Sequence, residues 1–472
     1  MPLSPPAVTT YPSHGAGASL SCNEGGPGPS VEASAPALAI SSTSNVYQVY
    51  NENRSSSPFI ESEAYARMLL SRKRGYPLWK PKARNAQHPE VYKKHGVHIG
   101  DVGLLTQFGG FDYLFNICYG ADHEMNLGRV PKDFRPVSDF DANHIVESKY
   151  QLGDCVLSDP GRIQQSAVQA DYSQGSANQF EGVPKEFGAG RAYSSTTSKG
   201  AILILPEGGK RVDYLSPEIF AQHAAEYAAS WYTHANAMGR ETRNGSLYLI
   251  TGFDKARAWG TATFRSVNPE DFSLEFVSKP SKGASSYPQY CFRKCQSAVS
   301  KSGADDTYGE QSGSVFLRGY RIALRYSWFR KTIPGIINAS DLIDPDRSLR
   351  VPKHSIRWLL SLSPLDWIKQ QFSSGKVVNF YRASNTQIYH PLDIINSWLL
   401  RDTKADIAIS HDDAWAAVIK DNDNEIPESP QLLLRVQANK HCIHHGTTFR
   451  GHKWVCFSSV SDTAYEKLEG TS

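Results

Sequence analysis

A chain of 472 residues, 40% apolar and 21% charged, is long enough for more than one buried core, and a formal net charge of +3 is too small to imply a partner by itself. No run stays apolar for the roughly 18 residues that a membrane-spanning helix needs, and no positively charged start precedes an apolar stretch, so neither a transmembrane segment nor export by signal peptide is expected. Seven scattered cysteines (22, 118, 155, 291, 295, 442, 456) are an odd number that fits reduced thiols better than a disulfide framework, which places the chain in the cytoplasm, with the nucleus also open to it.

Residues 1–58 are rich in Ser, Pro, Gly and Ala and poor in large aliphatics, so they read as a disordered leader that cannot bury enough surface to offset chain entropy. Phe59 to Leu70 has the spacing of a short helix with Ile60, Ala64 and Met68 on one side, and Arg72 to Arg74 suit its negative end. Pro77 and Pro81 then force an extended path that lays Trp79 into the core. Val97 to Leu105 and Phe111 to Tyr119, joined through Gly109-Gly110, predict a hairpin. Residues 120–198 are polar and weakly periodic and read as loops, with faint strand signals near Ile145 and Val156.

Gly200 to Leu205 is a fully apolar strand closed by Pro206 and Gly208-Gly209. A long helix follows, capped by Ser216 with Pro217 in its first turn and ended by Gly239; Ile219, Phe220, Tyr227, Trp231 and Met238 supply most of its apolar face, with His223 and His234 at the core edge. Strands return at Ser246 to Phe253, Ala258 to Phe264, Phe272 to Val277 and Ser314 to Trp328. The last alternates Phe316, Tyr320, Ile322 and Leu324 against Arg321 and Arg325, as a half-buried strand with a basic outer face would. Residues 279–313 lack an apolar period and read as a mobile insertion.

These elements give an α+β fold: a β-rich, mostly antiparallel sheet or sandwich over 59–330 packed with one long helix, plus a smaller C-terminal α/β unit over 350–425 and a tail of undefined structure over 426–472. In the smaller unit, helices are expected at Ile356 to Leu362, Trp367 to Phe372 and Pro391 to Leu400. Val377 to Tyr381 and Ala405 to Ser410 would be the strands of a β-α-β crossover. No glycine-rich loop opens the helix at Pro391, so no nucleotide or other cofactor is implied.

The phrases RKRGYPLWKP, GVHIGDVG, FDYLFNIC, NGSLYLITGFDKARAWGTATF and HPLDIINSWLL followed by SHDDAW resemble those of a large family of uncharacterised proteins from mushroom-forming fungi. The resemblance covers most of residues 60–420. It implies no reaction, ligand or catalytic residue, since no activity is established for that family.

Several constellations carry possible chemistry. The segment 67–94 holds Arg67, Arg72, Lys73, Arg74, Lys80, Lys82, Arg84, Lys93 and Lys94 against Glu90 alone, interleaved with Tyr76, Trp79 and Tyr92. Such a strip suits an anionic partner (nucleic acid, acidic lipid or acidic protein), although a solvated face with core aromatics explains it more simply. His411, Asp412 and Asp413 follow a strand, where a divalent ion or a shared proton could be held, but Ser410, Asp412 and Asp413 are also what the positive end of a helix running to about Lys420 takes, and capping is the simpler reading. Cys442, His445, His452 and Cys456 match zinc in number and in no standard spacing. Asp421 to Glu425 is rich in oxygen but has Ile426 where an EF-hand needs glycine, so it reads as a solvated loop. Amphipathic strands at 246–264 and 314–328 would also suit a membrane-inserting hairpin.

No nucleophile elbow or thiol dyad accompanies these groups. The reading favoured is a non-enzymatic binding or regulatory module; the alternatives are an enzyme with a metal-assisted site at His411 to Asp413 and a membrane-active protein.

Overall fold

The computed structural model describes residues 58–82, 87–168, 182–240, 242–279, 287–325, 388–438 and 442–458. In chain order the strands are β1 (Tyr76–Pro77), β2 (Asp101–Leu105), β3 (Phe111–Asn116), β4 (Ile145–Tyr150), β5 (Asp154–Leu157), β6 (Ile163–Ala167), β7 (Gly190–Ser195), β8 (Gly200–Leu205) and β9 (Gly209–Tyr214). They continue with β10 (Leu247–Ala256), β11 (Ala258–Phe264), β12 (Ser273–Lys279), β13 (Gln289–Gln296), β14 (Val299–Ala304), β15 (Gly313–Leu324), β16 (Ile407–His411), β17 (Cys442–Thr447) and β18 (Lys453–Ser458). The α-helices are α1 (Pro58–Leu70), α2 (Glu90–His95), α3 (Glu218–Ala237), α4 (Pro391–Asp402), α5 (Asp413–Ala416) and α6 (Ser429–Ala438).

The fold is β-rich and mostly antiparallel. A 10-stranded sheet runs β17-β18-β16-β15-β10-β2-β3, with β1 on β15 and β9 on β10, and β4 beyond β9. Two 4-stranded sheets, β14-β11-β8-β5 and β13-β12-β7-β6, enclose a shared core of Ile202, Ile204, Phe264, Leu274, Phe276 and Phe292. The chain passes between the large sheet and this sandwich at Ala256 to Ala258, where β10 becomes β11. Alternation explains why Gly200 to Leu205 is apolar throughout: Ile202 and Ile204 face the sandwich core, while Ala201, Leu203 and Leu205 pack with Tyr65, Met68 and Leu69 of α1.

Several expectations change. The stretch 120–198 contains β4 to β7, and β13 and β14 lie within 279–313, which is therefore structured wherever it is described. The faint signals near Ile145 and Val156 mark β4 and β5; the other strands escaped the pattern because they are edges or neighbours of edges: four of the five residues of β6 are exposed, which leaves no apolar period to read. Helix α3 buries Phe220, Ala221, Ala224, Ala225, Ala228, Trp231, Tyr232 and Ala235. Its inner face is thus largely alanine, which lets the helix lie close to the sheet, and Met238 is exposed.

Strand β15 is buried on both faces, not half-exposed with a basic outer side. Arg321 points into α4, where its guanidinium meets Asp393 at 2.9 Å, and Asn396 of the same helix donates to the Arg321 carbonyl at 3.0 Å. The described part of the expected C-terminal unit belongs to this same large sheet: β16 pairs with β15 from Tyr320↔His411 to Leu324↔Ile407, and α4 shares the main core through Leu392, Ile395 and Leu399. The edge of β15 that would otherwise stand open gains its neighbour this way. The first strand of the proposed β-α-β crossover and the helices at 356–362 and 367–372 lie outside the described residues.

Candidate functional site

Where β10 pairs with the middle of β15, the register slips between Ile250↔Gly319 and Gly252↔Arg318, leaving Thr251 as the extra residue of a β-bulge. The bulge aims the Thr251 hydroxyl at His411, 2.7 Å from its Nε2, while Nδ1 of the same ring lies 3.1 Å from a carboxylate oxygen of Asp413. Hydroxyl, imidazole and carboxylate thus stand in line, the order found in activated nucleophiles. Burial opposes protonation of His411, but Asp413, Asp412 and Glu218 outweigh it and raise the imidazole above its ordinary value.

Asp412 has a different task. It accepts hydrogen bonds from the Tyr248 hydroxyl, from Trp415 Nε1 at 2.7 Å and from the Gly319 amide at 2.9 Å. Burial raises this carboxyl despite those donors. His390, stacked on Tyr76 with ring centroids 5.0 Å apart, closes the other side 3.6 Å from Asp412. Next to it, Arg318 binds Asp254 at 2.7 Å, bonds Asp213, and donates to the carbonyls of Arg74 and Val212. Gly252 permits this arrangement, since a Cβ there would run into the Asp213 carboxylate and the Arg318 guanidinium.

Of the three sequence candidates, His411 and Asp413 thus pair while Asp412 turns away. Asp412 points into the sheet as a hydrogen-bond acceptor, whereas Asp413 is half-exposed, and no cluster of three or more His, Cys, Asp or Glu side chains fit for a metal exists among the described residues. Thr251 is only 3% exposed and His411 5%, so only the Asp413 end of the line meets solvent.

The C-terminal cysteines and histidines lie on the β17–β18 hairpin, whose register sets His444 against Cys456 and His445 against Val455. Opposed residues share a face, so His445 falls on the side away from Cys456, and the set Cys442, His445, His452 and Cys456 is split. Cys456 is buried in the main core, and burial pushes its thiol up to about 12.

In the basic segment the aromatics are core residues: Tyr76, Trp79 and Tyr92 are all buried. The cations mostly meet partners of this chain. Arg67 pairs with Glu63, Lys73 with Asp421, Lys82 with Asp305 and Lys93 with Glu90; Arg74 lies over Tyr150, and Lys80 over Phe108. Arg72 reaches toward the Ser158 carbonyl and Lys94 is exposed. The acidic loop is tied down likewise, Asp423 to Arg435 and Glu425 to Lys199.

A residue that the sequence did not single out lies within the same segment. His88 lines a hollow of about 20 Å³ together with Tyr113, Met125, Arg129, Met238 and Arg240. Asp112 of β3 sits 3.4 Å from His88 Nε2 and 3.1 Å from Arg240. Both His88 Nδ1 and Arg240 Nε are buried without a hydrogen-bond partner. Leaving two such nitrogens unsatisfied costs about 1–3 kcal/mol each, and the space beside them is about that of one water.

No family model matches the chain, nor does any curated protein or solved structure.

Proposed function

We propose that this chain is a non-enzymatic binding module that takes the anionic group of a partner at the hollow formed by His88, Arg129 and Arg240. The observation that carries the reading is the pair of unpartnered nitrogens, His88 Nδ1 and Arg240 Nε, on residues lining one small cavity. Three basic side chains border it, and the carboxylate of Asp112 is already held between two of them. A carboxylate or phosphate oxygen entering there would supply an acceptor to the arginine and displace at most a water. Binding rather than turnover is favoured because the lining has no Ser, Thr, Cys or Lys, and the Tyr113 hydroxyl is spent on the Met125 carbonyl at 2.9 Å.

The test is a titration of the labelled full chain with inorganic phosphate and with acetate, following the His88 ring by NMR. A saturable shift that Arg240→Ala weakens at least about tenfold is expected, matching a lost charge-assisted hydrogen bond. A ring that stays still, or shifts equally in the variant, removes the proposal.

A second reading, an acyl-transfer enzyme, has one observation in its favour: the alignment of Thr251, His411 and Asp413. Covalent labelling of wild type but not Thr251→Val by an active-site-directed fluorophosphonate would select it over the binding module.

A further inference from the structure

We infer that β17 is the pairing edge of a homodimer, in which two copies of the chain join their 10-stranded sheets through antiparallel Cys442–Thr447 strands.

Among the described residues β17 ends the large sheet and pairs only with β18. Open edges are normally guarded by charge, proline or bulges, because a row of free backbone groups invites another strand. The other terminal strands follow that habit: β3 carries Asp112, β4 Glu147 and Lys149, β5 Asp154, β13 Arg293 and Lys294, and β14 Lys301. Strand β6 has no charge, but it presents Gln164, Gln165 and Ser166 to water. Strand β17, Cys-Ile-His-His-Gly-Thr, has neither an acid, a lysine, an arginine nor a proline, and it exposes 40% of Ile443.

The hairpin is also held in place before any partner arrives. Its turn is closed by Thr448 N to the His452 carbonyl at 2.8 Å, and it is pinned to the body by Phe449 N to Glu226 at 2.8 Å and by Arg450 to Asp133 at 2.8 Å. Little ordering entropy is left to lose on association.

A second copy is the occupant this edge suits. An antiparallel strand is its own complement about a two-fold axis, and with no formal charge in β17 nothing repels the copy at neutral pH. Since opposed residues share a face, the axis passes through a residue; centred on His445, it sets exposed Ile443 against exposed Thr447 of the second copy, a pair of β-branched side chains. A six-residue strand pair buries less than the roughly 1,000 Å² of a permanent interface, so the dimer is a weak, reversible one that depends on concentration.

Sedimentation equilibrium of the full chain over a concentration series tests this. The expected result is a mass rising from one chain toward two, abolished in Ile443→Lys with an unchanged far-UV spectrum, and a covalent dimer on mild oxidation of His445→Cys. A single chain at every concentration overturns the inference. So does self-association that survives Ile443→Lys but is lost in Phe449→Ala, which would move the contact from the strand edge to the fully exposed aromatic of the turn.

Discussion

At the scale of single residues, buried ionisable groups in the large sheet set how the protein responds to pH. Asp101 of β2 is fully buried and accepts hydrogen bonds from the His98 amide and from Asn116, each at 2.7 Å, yet burial still pushes its carboxyl up to about 8. In the unfolded chain the same group titrates near 4. Its contribution to stability is therefore complete below about pH 4 and is lost as pH rises toward 8, because the unfolded chain sheds a proton that the native state retains. Lys255 of β10 has the opposite sign: burial and Lys210 pull it down to about 7, so its contribution is present above the ordinary lysine range and is lost as pH falls toward 7. Replacing Asp101 by Asn should flatten the fall in urea midpoint between pH 5 and 8, removing a slope of up to about 1.4 kcal/mol per pH unit. An unchanged slope in that variant would show that Asp101 ionises normally in the folded protein.

Among elements, the bulged join of β10 and β15 is where charge has been taken inside the sheet. Arg318 is 4% exposed and Asp254 wholly buried, so Arg318→Met leaves Asp254 without its main counter-charge, with only the more distant Arg74 and the Tyr150 hydroxyl beside it. The expected loss is about 3–5 kcal/mol in equilibrium unfolding, and restoring compatibility with Asp254→Leu in the same chain should return much of it. A loss below about 1 kcal/mol in Arg318→Met would mean that the pair is hydrated in solution. None of this was legible from spacing. A bulge depends on which strand lies alongside, and Thr251 within an alternating run gave no sign of meeting His411, which is 160 residues away. The Gly200 to Leu205 strand and the helix from Glu218 could be read because burial on two faces, or an alanine-rich run ended by Gly239, is written locally; Ser216, expected to cap that helix, instead meets His144 Nδ1 at 3.0 Å. His88 could not, for its meaning comes from Asp112 and Arg240, which the hairpin and the end of α3 bring to it.

For the molecule as a whole, the decisive fact is that the two expected folded units share one sheet. The central strand β15 is flanked by β10 on one side and β16 on the other, and Arg325 just beyond β15 donates to the carbonyls of Leu400, Thr403 and Ala405. A chain stopped at residue 330 loses β16, β18 and α4 together and exposes Tyr320, Ile322 and Leu324, which are buried in the intact protein. Such a fragment should fail to unfold cooperatively and should bind a hydrophobic dye at 25 °C, whereas a sharp melt like that of the full chain would restore the picture of two independent domains.

The order of the large sheet also bears on how the protein is born. While a ribosome is still reading codons beyond β15, the side of that strand destined for β16 stands open, and it stays so until Ile407 to His411 have left the exit tunnel. The parallel strand that completes the layer, Lys453 to Ser458, emerges later still. Nascent chains of this protein consequently carry a bare strand edge while the residues between Leu324 and Ile407 are made, a liability that favours holding chaperones and late closure over domain-by-domain folding during translation.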